Sequence, residues 1–224
     1  KGSIPYQRNL GARAATGEYL AFTDGDCIAE KTWLKQLVEQ MDKRNEDVVA
    51  VGGPNFVLNN DPPLGKVIGY AQESFLGSGG SPQSYRIGKP KYVMSIPNCN
   101  ILYRKQIIAG EKYDETLVLG SDAELNFRLR QKGYKLLYLP NAIVWHHRPD
   151  TIKGFAKKMF RYGEGMARIT KKHKRVIRWY AFAVAVAMLA VIFCYPIITF
   201  LSPAKYIYAV ALCLYIILLI YSTV

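Results

Sequence analysis

Cysteine is scarce and scattered in this sequence. The 224 residues hold four, Cys27, Cys99, Cys194 and Cys213, with no Cys-x-x-Cys pair and no metal-ligand spacing among them. A disulfide framework is thereby disfavoured, and a reducing, cytosolic setting suits residues 1–178. Acidic residues run out toward the end: one falls between 151 and 178 and none between 179 and 224. Disorder, collagen and mucin-like stalks are excluded, because half the chain is apolar and only 21% is charged. At roughly 150 residues per domain, the length leaves room for about one and a half domains. No internal repeat is visible.

Thirty Lys and Arg against seventeen Asp and Glu give a net charge of +13, and the excess is a local block. Residues 1–150 hold nineteen basic and sixteen acidic groups, whereas 151–178 hold ten and one. Behind that block, Trp179 to Ala204 form twenty-six residues without a charge. About twenty helical residues cross a hydrocarbon core of roughly 30 Å, so this run predicts a membrane-spanning helix. A polar break at Ser202-Pro203-Ala204-Lys205 is followed by a second uncharged run, 206–224, which predicts a transmembrane hairpin.

Lys171, Lys172, Lys174, Arg175 and Arg178 crowd the start of the first run, while only Lys205 stands at its far end. The positive-inside rule then places residues 1–178 on the cytoplasmic side of a multi-pass protein. Upstream, Ile152, Phe155, Met159, Gly163, Met166 and Ile169 recur at spacings of three and four among Lys153, Lys157, Lys158 and Arg168. The pattern predicts a basic amphipathic helix over 151–178 lying on the bilayer. Next to a transmembrane run, the partner of this block is anionic lipid rather than nucleic acid.

Residues 1–150 alternate strand and helix signals. Strands are predicted at Glu18–Thr23, Val48–Val51, Tyr92–Ile96, Asn100–Tyr103, Leu136–Leu139 and Ala142–Trp145. Helices are predicted around Trp33–Met41 and over Asp122–Gln131, with a Gly-, Ser- and Pro-rich loop at 77–91. Such alternation predicts an α/β fold with a mostly parallel sheet and flanking helices.

Two acidic stretches carry the chemistry. Asp24-Gly25-Asp26 stands directly after a predicted strand, and strand carboxyl ends are where open α/β sheets bind ligands. Carboxylates one residue apart suit a hard divalent cation with phosphate oxygens, although a plain turn explains the same residues. Gly120-Ser121-Asp122-Ala123-Glu124 opens a helix, and Ser121 with Glu124 makes a capping box. Asp122 is not needed for that cap. At the positive end of the helix dipole it suits a general base acting on a hydroxyl.

Tyr6-Gln7-Arg8-Asn9-Leu10-Gly11 and Ala15-Thr16-Gly17-Glu18-Tyr19-Leu20-Ala21-Phe22-Thr23-Asp24-Gly25-Asp26-Cys27 resemble the nucleotide-sugar stretch of family-2 glycosyltransferases. The run from Gly120 to Leu129, then Gly133-Tyr134 and Val144-Trp145-His146, is similar to that family's Glu-Asp-x-Glu-Leu-x-x-Arg region and trailing His. The motifs keep the family's order over about 140 residues. The resemblance implies a partial GT-A fold, a Rossmann-like nucleotide-diphospho-sugar transferase domain over 1–150. It also implies inverting transfer of a sugar from a nucleoside diphosphate donor. By motif position Asp26 would hold Mn²⁺ or Mg²⁺, Asp24 would face the nucleoside, Arg8 and Asn9 would line the donor site, and Asp122 would be the base. Glu124 and Arg128 would meet the acceptor or brace Asp122. Asn100, which with Asn98 flanks Cys99, would lie near the sugar, and His146 would be a second metal ligand or a phosphate contact.

The hydrophobic tail resembles exopolysaccharide and lipid-linked glycan enzymes of the family, which implies a lipid-linked or polysaccharide acceptor. The sequence departs from the family pattern at Ser121, where Glu is common. It departs again at Lys158-Met159-Phe160-Arg161-Tyr162, which stands where processive members carry Gln-x-x-Arg-Trp, so a single transfer is favoured over polymerisation. Starting at Lys1 and stopping at Val224 in an apolar run, the chain reads as a fragment whose first GT-A strands precede Lys1. Two other functions stay open on the sequence: a polyprenyl-phosphate sugar synthase, and a silent membrane scaffold or nucleotide-binding protein of polysaccharide export.

Overall fold

The first helix, α1 (Ile4–Ala14), shows how local chemistry sets an element boundary. Pro5 stands in the first turn, where a missing N–H costs nothing, and the Ser3 side chain accepts the Tyr6 N–H. The computed structural model describes residues 2–78, 81 and 88–176, with isolated positions farther on. The chain forms two compact units, 1–169 and 170–224.

After α1 the first unit runs β1 (Tyr19–Phe22), β2 (Cys27–Ala29), α2 (Trp33–Asp42), β3 (Val48–Gly52), β4 (Asn55–Val57), α3 (Pro63–Glu73) and the single turn α4 (Phe75–Ser78). It continues with β5 (Lys91–Val93), β6 (Ile101–Arg104), α5 (Lys105–Glu111), α6 (Ser121–Gln131), β7 (Lys135–Tyr138) and β8 (Val144–His146). Last comes α7 (Ile152–Lys172). The main sheet has the order β1-β6-β3-β7-β5, and a small second sheet has the order β2-β8-β4.

Side-chain alternation divides the interior. Ile101 and Tyr103 of β6, Val49 of β3 and Leu136 of β7 join Ala12, Ile108, Leu125 and Leu129 on the face covered by α1, α5 and α6. Leu102, Val48, Val51 and Leu137 point the other way, against Trp33, Leu37 and Met41 of α2. Strand neighbours facing opposite sides is the period-two signature of a sheet buried on both faces.

The mostly parallel sheet does not materialise; the main sheet is mixed. β3 and β7 pair in parallel, but β6 runs antiparallel to both β1 and β3, and β5 antiparallel to β7. Strands β1, β3 and β7 therefore share a direction, as helical crossovers require. β5 and β6 are entered from the opposite end, after the 58–90 excursion, and no helix crossover reverses them. Strand signals in a sequence carry no direction, which is why alternation alone misled. The register places Tyr103 beside Leu20 and Ala50, so β6 is the wedge between the strands that carry the acidic turn and the core.

The predicted helix over 151–178 is observed as α7, continuous through Gly163 and Gly165. Its predicted apolar stripe divides in two. Ile169 is buried and Phe155 and Met159 are half-buried, whereas Ile152, Gly163 and Met166 stay exposed; off the stripe, Gly165 is buried and Phe160 is 76% exposed. Gly165 is a close approach: a Cβ there would lie 3.0 Å from that of Leu119. The predicted transmembrane hairpin, 179–224, and most of the 77–91 loop lie outside the described residues. Among the described residues no helix is long and apolar enough to cross a membrane. In the second unit the short turn Lys174–Val176 follows the end of α7.

Candidate active site

The strand β1 ends at Phe22, and the chain turns through Asp24, Gly25 and Asp26 into β2. A cleft of about 570 Å³ opens there, lined by Ile4, Gln7, Arg8 and Gly11 of α1 together with Phe22, Asp24 and Asp26. That volume suits a small-molecule ligand. Arg8 reaches Asp24, Nη2 to Oδ1, at 3.5 Å. Burial pushes the Asp24 carboxyl above its usual range, Arg8 opposes this, and the charges of Asp26 and Asp122 push the same way as burial. The three acids named from the sequence are thus close enough to feel one another.

Asp122 comes from the first turn of α6. The helix starts at Ser121 and not one residue later, with Gly120 in the left-handed region at φ 75° as its N-cap. The expected capping box is therefore absent. Ser121 lies inside the helix, and Glu124 turns into the interior instead of back to the cap. Two amides hold the Asp122 carboxylate: Ala123 N–H donates to Oδ1 at 2.9 Å and Asn98 N–H to Oδ2 at 3.4 Å. The Asn98 side chain contacts the Tyr113 hydroxyl at 2.9 Å, and with its oxygen turned inward it accepts from Arg8 Nε and Nη1 at 3.1 Å. Asp122, Asn98, Arg8 and Asp24 then form a continuous polar path that reaches the cleft at Arg8 and Asp24.

Asp26 meets His146 at the end of β8, Oδ2 to Nε2 at 3.3 Å. The strand register explains this contact, because His146 pairs with Cys27. His146 is nearly buried, and that burial, followed by the charges of Arg148 and Lys158, lowers its pKa to about 4. At neutral pH the ring keeps a lone pair available for a metal. Asp26 is 55% exposed and reaches the open cleft.

Arg8, Asp24, Asp26, Asp122 and His146 are thereby brought together. Four other sequence-named residues are held elsewhere. Asn9 is buried, its amide donating to Tyr113 O and Glu115 Oε1 and accepting from Tyr113 N–H. Asn100 is fully buried: it accepts from Trp33 Nε1 and donates to the carbonyls of Pro54 and Ala142, each at 2.7 Å. Arg128 donates from Nε to both oxygens of the buried Glu124 and caps the last carbonyls of α5, at Glu111 and Lys112. A cation on those carbonyls is the favourable end of the helix dipole.

Two cations and a phenol not named from the sequence as site residues interact with the acids and His146. Lys158 of α7 has its pKa lowered, mostly by burial and then by Arg148, and Tyr162 one turn on has its own raised by burial. Arg148 is buried, with Nη2 donating to Asn55 O at 2.5 Å. Lys158 and Tyr162 gave a signal as the two ends of the run that stands where processive members carry Gln-x-x-Arg-Trp, whereas Arg148 gave none.

Comparison with known proteins agrees with this geometry. Residues 4–108 match the family model described as Glycosyl transferase family 2. A "Pre-mycofactocin glycosyltransferase" of Mycobacterium tuberculosis (strain CDC 1551 / Oshkosh) is 29% identical over 170 residues, covering 74% of this chain. A "Poly-beta-1,6-N-acetyl-D-glucosamine synthase" of Staphylococcus aureus (strain COL) is 25% identical over 157 residues, covering 70%.

Residues 4–108 are a stretch similar to the family-2 glycosyltransferase domain.

It spans about a third of the length of these relatives, 34% and 37% respectively. A solved structure, "Crystal structure of GalNAc-T7 with UDP, GalNAc and Mn2+", is a looser likeness at 20% identity and a TM-score of 0.49, covering 66% of this chain and 31% of that one. Arg8, Asp24 and Asp26 fall inside the matched residues, whereas Asp122 and His146 lie beyond them. The placement of those two rests on the contacts described above.

Proposed function

We propose that this chain is the catalytic part of a membrane-associated, inverting glycosyltransferase that moves a sugar from a nucleoside diphosphate to a hydroxyl of a lipid-linked glycan. One observation carries the reading. Asp24, which with Asp26 and Arg8 lines the cleft at the β1–β2 turn, is linked through Arg8 and Asn98 to Asp122 on α6.

Each group has a task that its surroundings suit. Arg8, held on one side by Asp24, presents a planar cation suited to diphosphate oxygens. Asp122 is fixed by two amides, so its carboxylate keeps a single orientation for taking the acceptor proton. The Asp26 carboxylate would hold Mn²⁺ or Mg²⁺, both of which take oxygen ligands, and the neutral His146 beside it adds a nitrogen that the softer Mn²⁺ accepts more readily. Such an ion, when bound, offsets the charge growing on the departing diphosphate. Attack from the Asp122 side, opposite that leaving group, inverts the anomeric centre.

The composition of α7 supports membrane association. Lys153, Lys157, Arg161 and Arg168 surround the exposed Ile152, Phe160 and Met166, the composition of a helix that rests on anionic lipid. With its inner side against the domain, this helix would bring a polyprenyl-linked acceptor to the cleft.

The test is sugar transfer by the full-length protein and its Asp122→Asn variant, with nucleotide affinity measured alongside. Loss of transfer by about a hundredfold or more, at unchanged nucleotide affinity, is the expected result for a general base. Full activity of the variant removes Asp122 as base and favours a phosphate acceptor, which needs none. Nucleotide binding by the wild type without turnover on any lipid-linked acceptor favours a silent scaffold.

A further inference from the structure

Beside the Asp26–His146 pair lies a second cluster of metal-binding atoms. Cys27 opens β2, Cys99 sits in the 3₁₀ turn Asn98–Asn100, and His146 ends β8 opposite Cys27 in the strand register. Their two sulfurs and one ring nitrogen lie within 4.8 Å of one another. The cysteines are free. Thiolates and imidazole on one ion at about 2.3 and 2.0 Å stand roughly 3.5 Å apart, so thiol rotation of about 1 Å closes the cluster.

His146 supplies an independent sign. Its Nε2 faces Asp26, while its Nδ1 is buried with no hydrogen-bond partner. In the tautomer that donates Nε2–H to Asp26, Nδ1 is left as a bare, desolvated lone pair. A carboxylate that orients an imidazole whose other nitrogen ligates a metal is the usual arrangement around bound zinc. An unpartnered buried nitrogen is otherwise costly.

Charge also fits. Two thiolates and a neutral imidazole cancel a divalent ion. Two protons leave the thiols for solvent as the metal binds.

We propose that Cys27, Cys99 and His146 form a site for a thiophilic divalent cation, Zn²⁺ in the cell, with its fourth position open toward the cleft. Soft sulfur ligands distinguish it from the hard-cation donor set at Asp26. The two occupancies compete, since both draw on His146 and the zinc-bound ring holds Asp26 as its hydrogen-bond acceptor. Zinc therefore inhibits sugar transfer. That consequence rests on the glycosyltransferase reading, whereas the site itself does not.

The experiment is Co²⁺ titration of the full chain under a phosphine reductant. Near-ultraviolet thiolate-to-cobalt charge transfer with visible tetrahedral bands is expected, bleached by Zn²⁺. The bands should vanish in Cys27→Ser and in Cys99→Ser and persist in the Cys194→Ser/Cys213→Ser double variant. A readout on the wild type alone guards against misfolded variants: Zn²⁺ should shield Cys27 and Cys99 from alkylation, mapped by mass spectrometry. Absent bands, bands that survive both substitutions, or unshielded Cys27 and Cys99 each overturn the site. Bands without zinc inhibition of transfer keep the site and remove its regulatory role.

Discussion

Ile169 of α7 packs directly over Gly120, the left-handed residue that starts α6: a Cβ placed on Gly120 would lie 2.6 Å from Ile169 Cδ1. The helix that would rest on the membrane and the residue two positions before Asp122 are therefore in contact. Gly120→Ala combines a φ of 75° with that clash. It should cost about 2 kcal/mol or more of stability, from a left-handed alanine plus overpacking. Chemical denaturation of both proteins checks this, and an unchanged midpoint would show that α7 yields freely at this point.

Arg8 bridges Asp24 and the Asn98 side chain while facing the cleft. Arg8→Met keeps much of the stem and removes the charge. Nucleoside diphosphate affinity should fall by about tenfold or more, the worth of a charged hydrogen bond. Calorimetry reads the change, and equal affinities would place the diphosphate elsewhere.

Asn100 satisfies an indole N–H and two carbonyls in the interior. Replacing it by leucine strands all three groups, and a loss of about 3 kcal/mol or more is expected from unpaired buried polar atoms. Below the unfolding transition, KM for acceptor should stay unchanged. A raised KM in a protein of wild-type stability would restore Asn100 to the acceptor site.

Tyr19 donates its hydroxyl to Asp42 Oδ1 at 2.6 Å, and that bond pushes its pKa up to about 12. The folded value lies above the unfolded one, so the contribution to stability is whole below about pH 10 and fades as pH rises through about 12. Denaturation midpoints of the wild type and Tyr19→Phe should differ at pH 8 and converge near pH 12. A gap that stays constant across that range would mean that the bond does not form.

Much of the site was legible because its chemistry is local. Asp24-Gly25-Asp26 follows a strand that burial alternation identifies, and Asp122 needs only a helix start near 121 to reach its dipole position. Glu124 and Arg128 misled for a related reason: spacing of three or four places side chains on one helix face but does not say whether that face is wet. Here the pair points inward and ties α6 to the end of α5.

By itself the sequence determined the acids, the strands of the main sheet with helices α2 and α6, and the basic amphipathic segment, but not α1, β2, β4, α3 or α5, since periodicity and short motifs act within a few residues. Tertiary structure alone decided strand direction and which distant residues meet. His146 reaches Asp26 and Cys27 because β8 pairs with β2, and Cys99 joins them through a turn 72 residues beyond Cys27 and 47 before His146. Such encounters are set by sheet register and packing of the whole core, and no spacing rule along the chain encodes them.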